Sequence, residues 1–307
     1  EKRNGNWERA GELSYQIIPN LENHISKSLN TDKLLNSIVT EEDVALVVSK
    51  WTGIPVEKMM EYERIKLLEM DSELKKCTNG TLSLKIEYNL VPPPALYDAV
   101  RDGVADLTWT VYGYTPGKFV TTMIAELPLI PGNAQQKSVA FQKTYEKYLE
   151  AAGEVKGVQV LANYTHGPGM ANTIKKMTSY QDLVGVKMRI GGGVSNAIGT
   201  ALGVAGVNAP APKVYELISG GVADGVFFPF ETMHAFKIAE LAKYSLHNPD
   251  GMYTTAFTLI MNNDTYNDLE PSHKKCIDDM RGIELSRTIG KMWDAADEVG
   301  KQEAASY

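Results

Sequence analysis

The chain has 307 residues, 43% of them hydrophobic and 22% charged, with a net charge of −7. This is ordinary globular composition, and the acidic balance argues against nucleic acid or an anionic membrane as the main partner. No apolar run approaches the roughly 18–20 residues of a membrane span, and the first residues lack the basic n-region and apolar h-region of an export signal.

Residues 1–76 are charged and helical in pattern. Thr40 and Asp43 stand at capping-box spacing before the apolar Val44, Leu46, Val47 and Val48, which predicts a short helix. Trp51-Thr52-Gly53-Ile54-Pro55 breaks it. Val56, Met60, Leu67, Met70 and Leu74 then recur at helical spacing, so one amphipathic helix is expected over 57–76.

From residue 77 the pattern changes to alternating strands and helices. Cys77 and Cys276, the only cysteines, suggest neither a disulfide framework nor a paired metal motif. Asn79-Gly80 predicts a turn, and Leu82, Leu84 and Ile86 alternate as a strand. Pro92-Pro93-Pro94 opens a helix running to Gly103, proline being tolerated in a first turn. Strands are expected over 105–111 and 158–164, with a helix over 134–152 between them. Val186, Met188 and Ile190 alternate with Lys187 and Arg189, predicting a strand with one buried face. That strand stops at Gly191-Gly192-Gly193, and glycines permit the tight turn found where open α/β sheets hold ligands. Asn208–Pro212 reads as a loop before a helix over 214–219. Short strands follow at 221–228 and 254–261, and the tail from Asp264 is helical almost to the end. Alternation of this kind implies α/β layers.

The first segment resembles the ClpB-type disaggregases. The resemblance is carried by Glu12 to Glu22 (ELSYQIIPNLE), by Val39-Thr40-Glu41-Glu42-Asp43 and, most specifically, by Lys50-Trp51-Thr52-Gly53-Ile54-Pro55-Val56. In that family this is the end of the middle domain, and the Gly-Ile-Pro-Val turn lies against adenine. A phosphate-holding loop needs G-x-x-x-x-G-K-[ST]. Neither Gly117-Lys118 nor Gly290-Lys291 fits it, so ATPase activity is not expected.

Residues 77–307 resemble a TRAP-transporter solute-binding protein of the DctP family. The carriers are Leu96-Tyr97-Asp98-Ala99-Val100, Gly103-Val104-Ala105-Asp106, Asp182 to Arg189, Lys213-Val214-Tyr215-Glu216-Leu217, Gly220 to Gly225, and Met261-Asn262-Asn263 before Tyr266. The resemblance implies a periplasmic-binding-protein-like, type II-like α/β fold of two interleaved lobes, preceded here by the helical segment 1–76. It also implies a periplasmic location, a small organic acid as ligand, TRAP permease subunits as partners, and no cofactor. Neither nucleic acid nor direct membrane insertion is expected. The family's first, central strand has no recognisable counterpart, so the first lobe is expected to lack it. The competing readings are a non-catalytic ClpB-type fragment and an inert hybrid product.

Arg189 falls on the family's ligand-pairing arginine, and a guanidinium is a fixed fork matched to a carboxylate. Phe228 replaces an asparagine common in the family, which implies a more apolar cleft suited to an aromatic or branched acid. Where some members carry a second arginine, this chain has Gly169, within His166-Gly167-Pro168-Gly169-Met170; His166 and Met170 are placed at the site from this run. Trp109 and Tyr112 stand at a strand end and fit a pocket wall or the core equally. His166 is either a ligand donor or a structural hydrogen-bonder. Asn208 is either an amide contact or a helix cap. No catalytic constellation is present: there is no H-E-x-x-H metal motif, and the sequence around Ser195 lacks the second glycine of a nucleophile elbow. Neither a metal nor an enzymatic activity is expected.

Overall fold

The computed structural model describes residues 13–17, 70–87 and 89–307. The chain divides into two compact units, Glu1–Val48 and Ser49–Tyr307. In the first, Leu13–Ile17 forms a single wide helical turn. The short helix expected after Thr40, the Trp51–Pro55 break and most of the helix expected over 57–76 lie outside the described residues. Residues 70–77, its final part, are helical.

In the second unit the described strands are β1 (Leu107–Val111), β2 (Val158–Thr165), β3 (Met170–Thr173), β4 (Lys187–Ile190), β5 (Ala205–Asn208), β6 (Gly225–Phe228), β7 (Tyr244–Leu246) and β8 (Ala256–Asn262). The α-helices are α1 (Leu96–Arg101), α2 (Ala134–Thr144), α3 (Val194–Ala201), α4 (Val214–Ser219), α5 (Glu231–Ala235), α6 (Asn263–Asp268), α7 (Pro271–Met280) and α8 (Ile283–Ala304). Two sheets result, ordered β1-β8-β2 and β5-β4-β6-β3-β7. Each is the centre of one α/β lobe.

The first sheet is antiparallel, with Leu107 opposite Met261 and Val111 opposite Phe257. Its central strand, β8, comes last in the chain, so the first lobe is completed only after the second has been traversed. Residue alternation along β8 divides the lobe's interior. Phe257, Leu259 and Met261 pack with Trp293 and Ile277 on one face, while Ala256 and Ile260 pack with Tyr97, Val100 and Phe141 on the other.

In the second sheet β4 runs parallel to both β5 and β6, and β3 runs antiparallel to β6 and β7. Sequence alternation did not disclose β3, β5 or β7, which are four, four and three residues long; β3 is buried throughout and the other two are mostly exposed, so none alternates. It also assigned β4 one buried face. The structure buries Met188, Arg189 and Ile190 alike, because β4 is an interior parallel strand covered on both sides.

Two further expectations are corrected. Residues 82–87 join no ladder. Leu82, Leu84 and Ile86 are half-buried and alternate with exposed neighbours, as a strand's would be, yet the Leu82 and Leu84 amides donate to Thr78 Oγ1 at 3.2 Å and Asp71 Oδ1 at 2.8 Å. Side chains thus replace a neighbouring strand there. Cys77 and Cys276 are joined in a disulfide with Cα atoms 5.9 Å apart. They are 199 residues apart in sequence, a separation with no spacing signature.

Helix α8 ties the lobes together through two aspartates three residues apart. The Asp294 carboxylate accepts from the Ala134 and Gln135 amides at the start of α2, at 2.7 and 3.1 Å. Asp297 accepts from the Glu231 amide at the start of α5, at 2.7 Å. Carboxylates at helix N-termini satisfy otherwise orphaned donors and complement the dipole.

Candidate functional site

A cavity of about 710 Å³ opens between the lobes, and side chains of both line it. Its second-lobe wall lies at the carboxyl ends of the parallel strands, where the sheet's strands feed into loops. Arg189 Nε donates to the Ala209 carbonyl at 2.9 Å, which fixes the side chain's direction. Its guanidinium carbon stands 4.7 Å from the centre of the Phe228 ring, a stacking that suits a planar cation. The register explains the meeting. Arg189 pairs with Val226, and Phe228 lies two residues further along β6, on the same face.

Arg189 is only 2% exposed. Burial pulls its pKa below the ordinary guanidinium value, and the Tyr253 and Tyr114 side chains oppose that effect. No carboxylate pairs with it among the described residues. A buried, unpaired cation is costly to maintain, and the guanidinium faces the cavity, where an anion would meet it. The Tyr114 hydroxyl is its hydrogen-bonding neighbour and also accepts from the Ala211 amide at 3.0 Å. Tyr114 comes from the first lobe and Ala211 from the second, so that bond crosses the cleft.

The opposite wall is aromatic. Tyr164 stacks on Phe257 at 5.3 Å with planes 3° apart, and Phe257 lies 5.4 Å from Trp293. Trp109 tilts against Phe257 at 5.9 Å. All four rings line the cavity. His166 joins them edge-on, 6.1 Å from Phe257. Its Nδ1 donates to the Gly167 carbonyl, and its Nε2 accepts the Thr255 amide at 3.1 Å. Burial pushes its pKa down to about 3, so the ring is a neutral part of the wall with both nitrogens engaged.

The cavity therefore brings together Trp109, His166, Arg189 and Phe228 of the residues singled out in the sequence. Tyr112, Met170 and Asn208 are placed elsewhere. Tyr112 points into the first-lobe core, donating to Asn163 Oδ1 at 2.7 Å beside Phe119 and Phe141. Met170 is fully buried opposite Phe228 in the β3–β6 ladder. Asn208 is exposed at the end of the edge strand β5. Sequence reasoning passed over Tyr164, Tyr253, Phe257 and Trp293. Tyr164, Phe257 and Trp293 lie on the apolar faces of β2, β8 and α8, which read as core, and Tyr253 lies on the loop before β8.

The chain closes over the cavity through Gly191-Gly192-Gly193. Gly192 has φ +107°, and a Cβ there would lie 2.4 Å from the Gly113 carbonyl oxygen. Among the described residues, no helix is long and apolar enough to cross a membrane.

Two α/β lobes enclosing a cleft, with a buried arginine at one end and aromatic walls at the other, define a two-lobed solute-binding class. Residues 57–288 match the model of the bacterial extracellular solute-binding protein family 7, DctP, and the chain belongs to that family. It is similar to a TRAP periplasmic solute-binding protein of Bordetella bronchiseptica solved with (R)- and (S)-mandelate, at 36% identity and TM-score 0.75, covering 77% of this chain and 76% of that one. It is also similar to a marine-metagenome TRAP solute-binding protein described as specific for aromatic acid ligands and solved with 3-hydroxybenzoate, at 37% identity and TM-score 0.73, covering 77% and 75%. A separate match is to the chaperone ClpB of Rhizobium meliloti, 45% identical over 84 residues, which is 26% of this chain and only 10% of that protein.

Proposed function

We propose that this chain captures a small aromatic carboxylate between its lobes and delivers it, unaltered, to TRAP permease subunits from the periplasm. The observation that carries the proposal is Arg189, buried without an acidic partner at one end of an aromatic cavity. In this reading the ligand's carboxylate takes a charge-assisted, fork-like bond from Arg189. Its ring lies among Trp109, Phe228 and the Tyr164–Phe257 stack, with His166 completing the wall and the lobes closed around it. Tyr112 and Met170 serve the two cores in this reading, and Asn208 the edge strand β5. The mandelate and 3-hydroxybenzoate held by the two solved relatives favour the same ligand class. The Cys77–Cys276 disulfide suits an oxidising compartment. No covalent chemistry is assigned to the site.

Calorimetric titration with 3-hydroxybenzoate, mandelate and lactate tests the ligand class. Aromatic acids are expected to bind at least tenfold more tightly than lactate; equal affinities would contradict the aromatic reading.

A further inference from the structure

Glu126 ends the 3₁₀ stretch Thr121–Glu126 of the first lobe and is 2% exposed. Its Oε1 accepts the Ala256 amide at 3.0 Å, at the start of β8 in its own lobe. Its Oε2 accepts the Val194 amide at 2.8 Å, at the start of α3 in the other lobe. The seam around it has no room for side chains. A Cβ on Gly193 would lie 2.1 Å from Glu126 Oε2, and one on Gly113 would lie 2.9 Å from the Gly193 nitrogen. The lobes therefore meet backbone to backbone, with one carboxyl spanning the join. The glycine strap it holds continues directly into the Gly191 and Gly192 wall of the Arg189 cavity.

We propose that Glu126 is the latch of lobe closure: by holding the Val194 amide it positions the glycine strap over Arg189 and makes closure sensitive to pH. The positioning half of this rests on the acid-binding reading of the cavity; the latch itself does not. Burial pushes the Glu126 carboxyl up to about 7, whereas an open cleft returns it to water and to an ordinary glutamate value of about 4.3. Closure thus takes up a proton between those values. It is favoured at the acid end of the window and weakens as pH rises through about 7. Tyr253, on the loop before β8, faces Glu126 and is held neutral by its own raised pKa. Tyr114 and the permanently charged Arg189 lie beyond Tyr253, and the first turn of α3 carries no acid. Asp297, raised to about 6 by burial, is a separate carboxyl on α8.

The test uses the full chain, with small-angle scattering at pH 6 and pH 8 without ligand and calorimetric titration of 3-hydroxybenzoate at both. The wild type is expected to be more compact and to bind several-fold more tightly at pH 6. Glu126→Gln is expected to abolish the pH dependence of both readouts. Glu126→Ala, and independently Gly193→Ala from the other side of the seam, are expected to weaken binding at least tenfold and leave the chain less compact. Wild-type pH dependence retained in Glu126→Gln, or wild-type compaction in both Glu126→Ala and Gly193→Ala, would overturn the latch. Failure of 3-hydroxybenzoate to bind the wild type at all would instead overturn the ligand reading, and scattering without ligand would still decide the latch.

Discussion

The two lobes share an architecture and differ in how their sheets are completed. The second has five strands in one ladder, with β4 covered on both faces and Met188 fully buried. Among the described residues the first has three strands, and the extended residues 82–87 lie alongside without joining them. Leu82, Leu84, Ile86, Leu107 and Trp109 line a gap of about 1010 Å³ between that segment and β1. Two side-chain acceptors and one disulfide secure what a neighbouring ladder would otherwise hold. In the second lobe, β4, which carries Arg189, is laddered on both sides, to β5 and to β6.

This difference can be broken or sharpened by measurement. Met188→Ala in the second core should cost about 2–5 kcal/mol, the range for truncating a fully buried large side chain, read as the shift in a urea unfolding curve. Cys276→Ser should cost about 2–4 kcal/mol, through release of a long loop, and should loosen the first lobe while leaving the Arg189 wall intact. The check is hydrogen exchange, with faster exchange expected at 70–87 and none gained at β4. Leu84→Ala should cost only about 1 kcal/mol, since a half-buried side chain forfeits a fraction of its transfer free energy. Equal losses for Met188→Ala and Leu84→Ala would erase the contrast. The smallest effect belongs to Asp297. Folding raises its pKa to about 6, so its ionisation erodes stability as pH climbs from about 4 to about 6. Asp297→Asn should flatten that part of the stability profile.

The sequence made the strand–arginine–glycine unit legible because three signals coincide there: alternation, a lone guanidinium and a glycine run. Strands β1, β2, β4, β6 and β8, with the long terminal helix, were equally readable from period and length. The interior strand β3 is buried throughout and the edge strands β5 and β7 are mostly exposed, so none of them shows an alternation. Alternation at Leu82, Leu84 and Ile86 predicted a strand correctly in shape but could not supply its partner. At Tyr112 and Tyr114 the alternation is interrupted by the 3₁₀ turn Tyr112–Tyr114, which sends the first ring into the core and the second to the cleft. Trp293 and Phe257 looked like core because their faces are core along most of their length and become pocket only where the lobes part. Glu126 left no trace in the sequence, since its partners are backbone amides 68 and 130 residues away.

The central claim is that Arg189 pairs with a ligand carboxylate. Isothermal titration of 3-hydroxybenzoate against the wild type and Arg189→Ala, with 3-hydroxybenzamide as the neutral counterpart, tests it most directly. The account predicts a loss of at least about 100-fold in acid affinity, two tenfold steps of about 1.4 kcal/mol each, with the amide binding both proteins weakly and alike. Equal affinity of the acid for both proteins would contradict it.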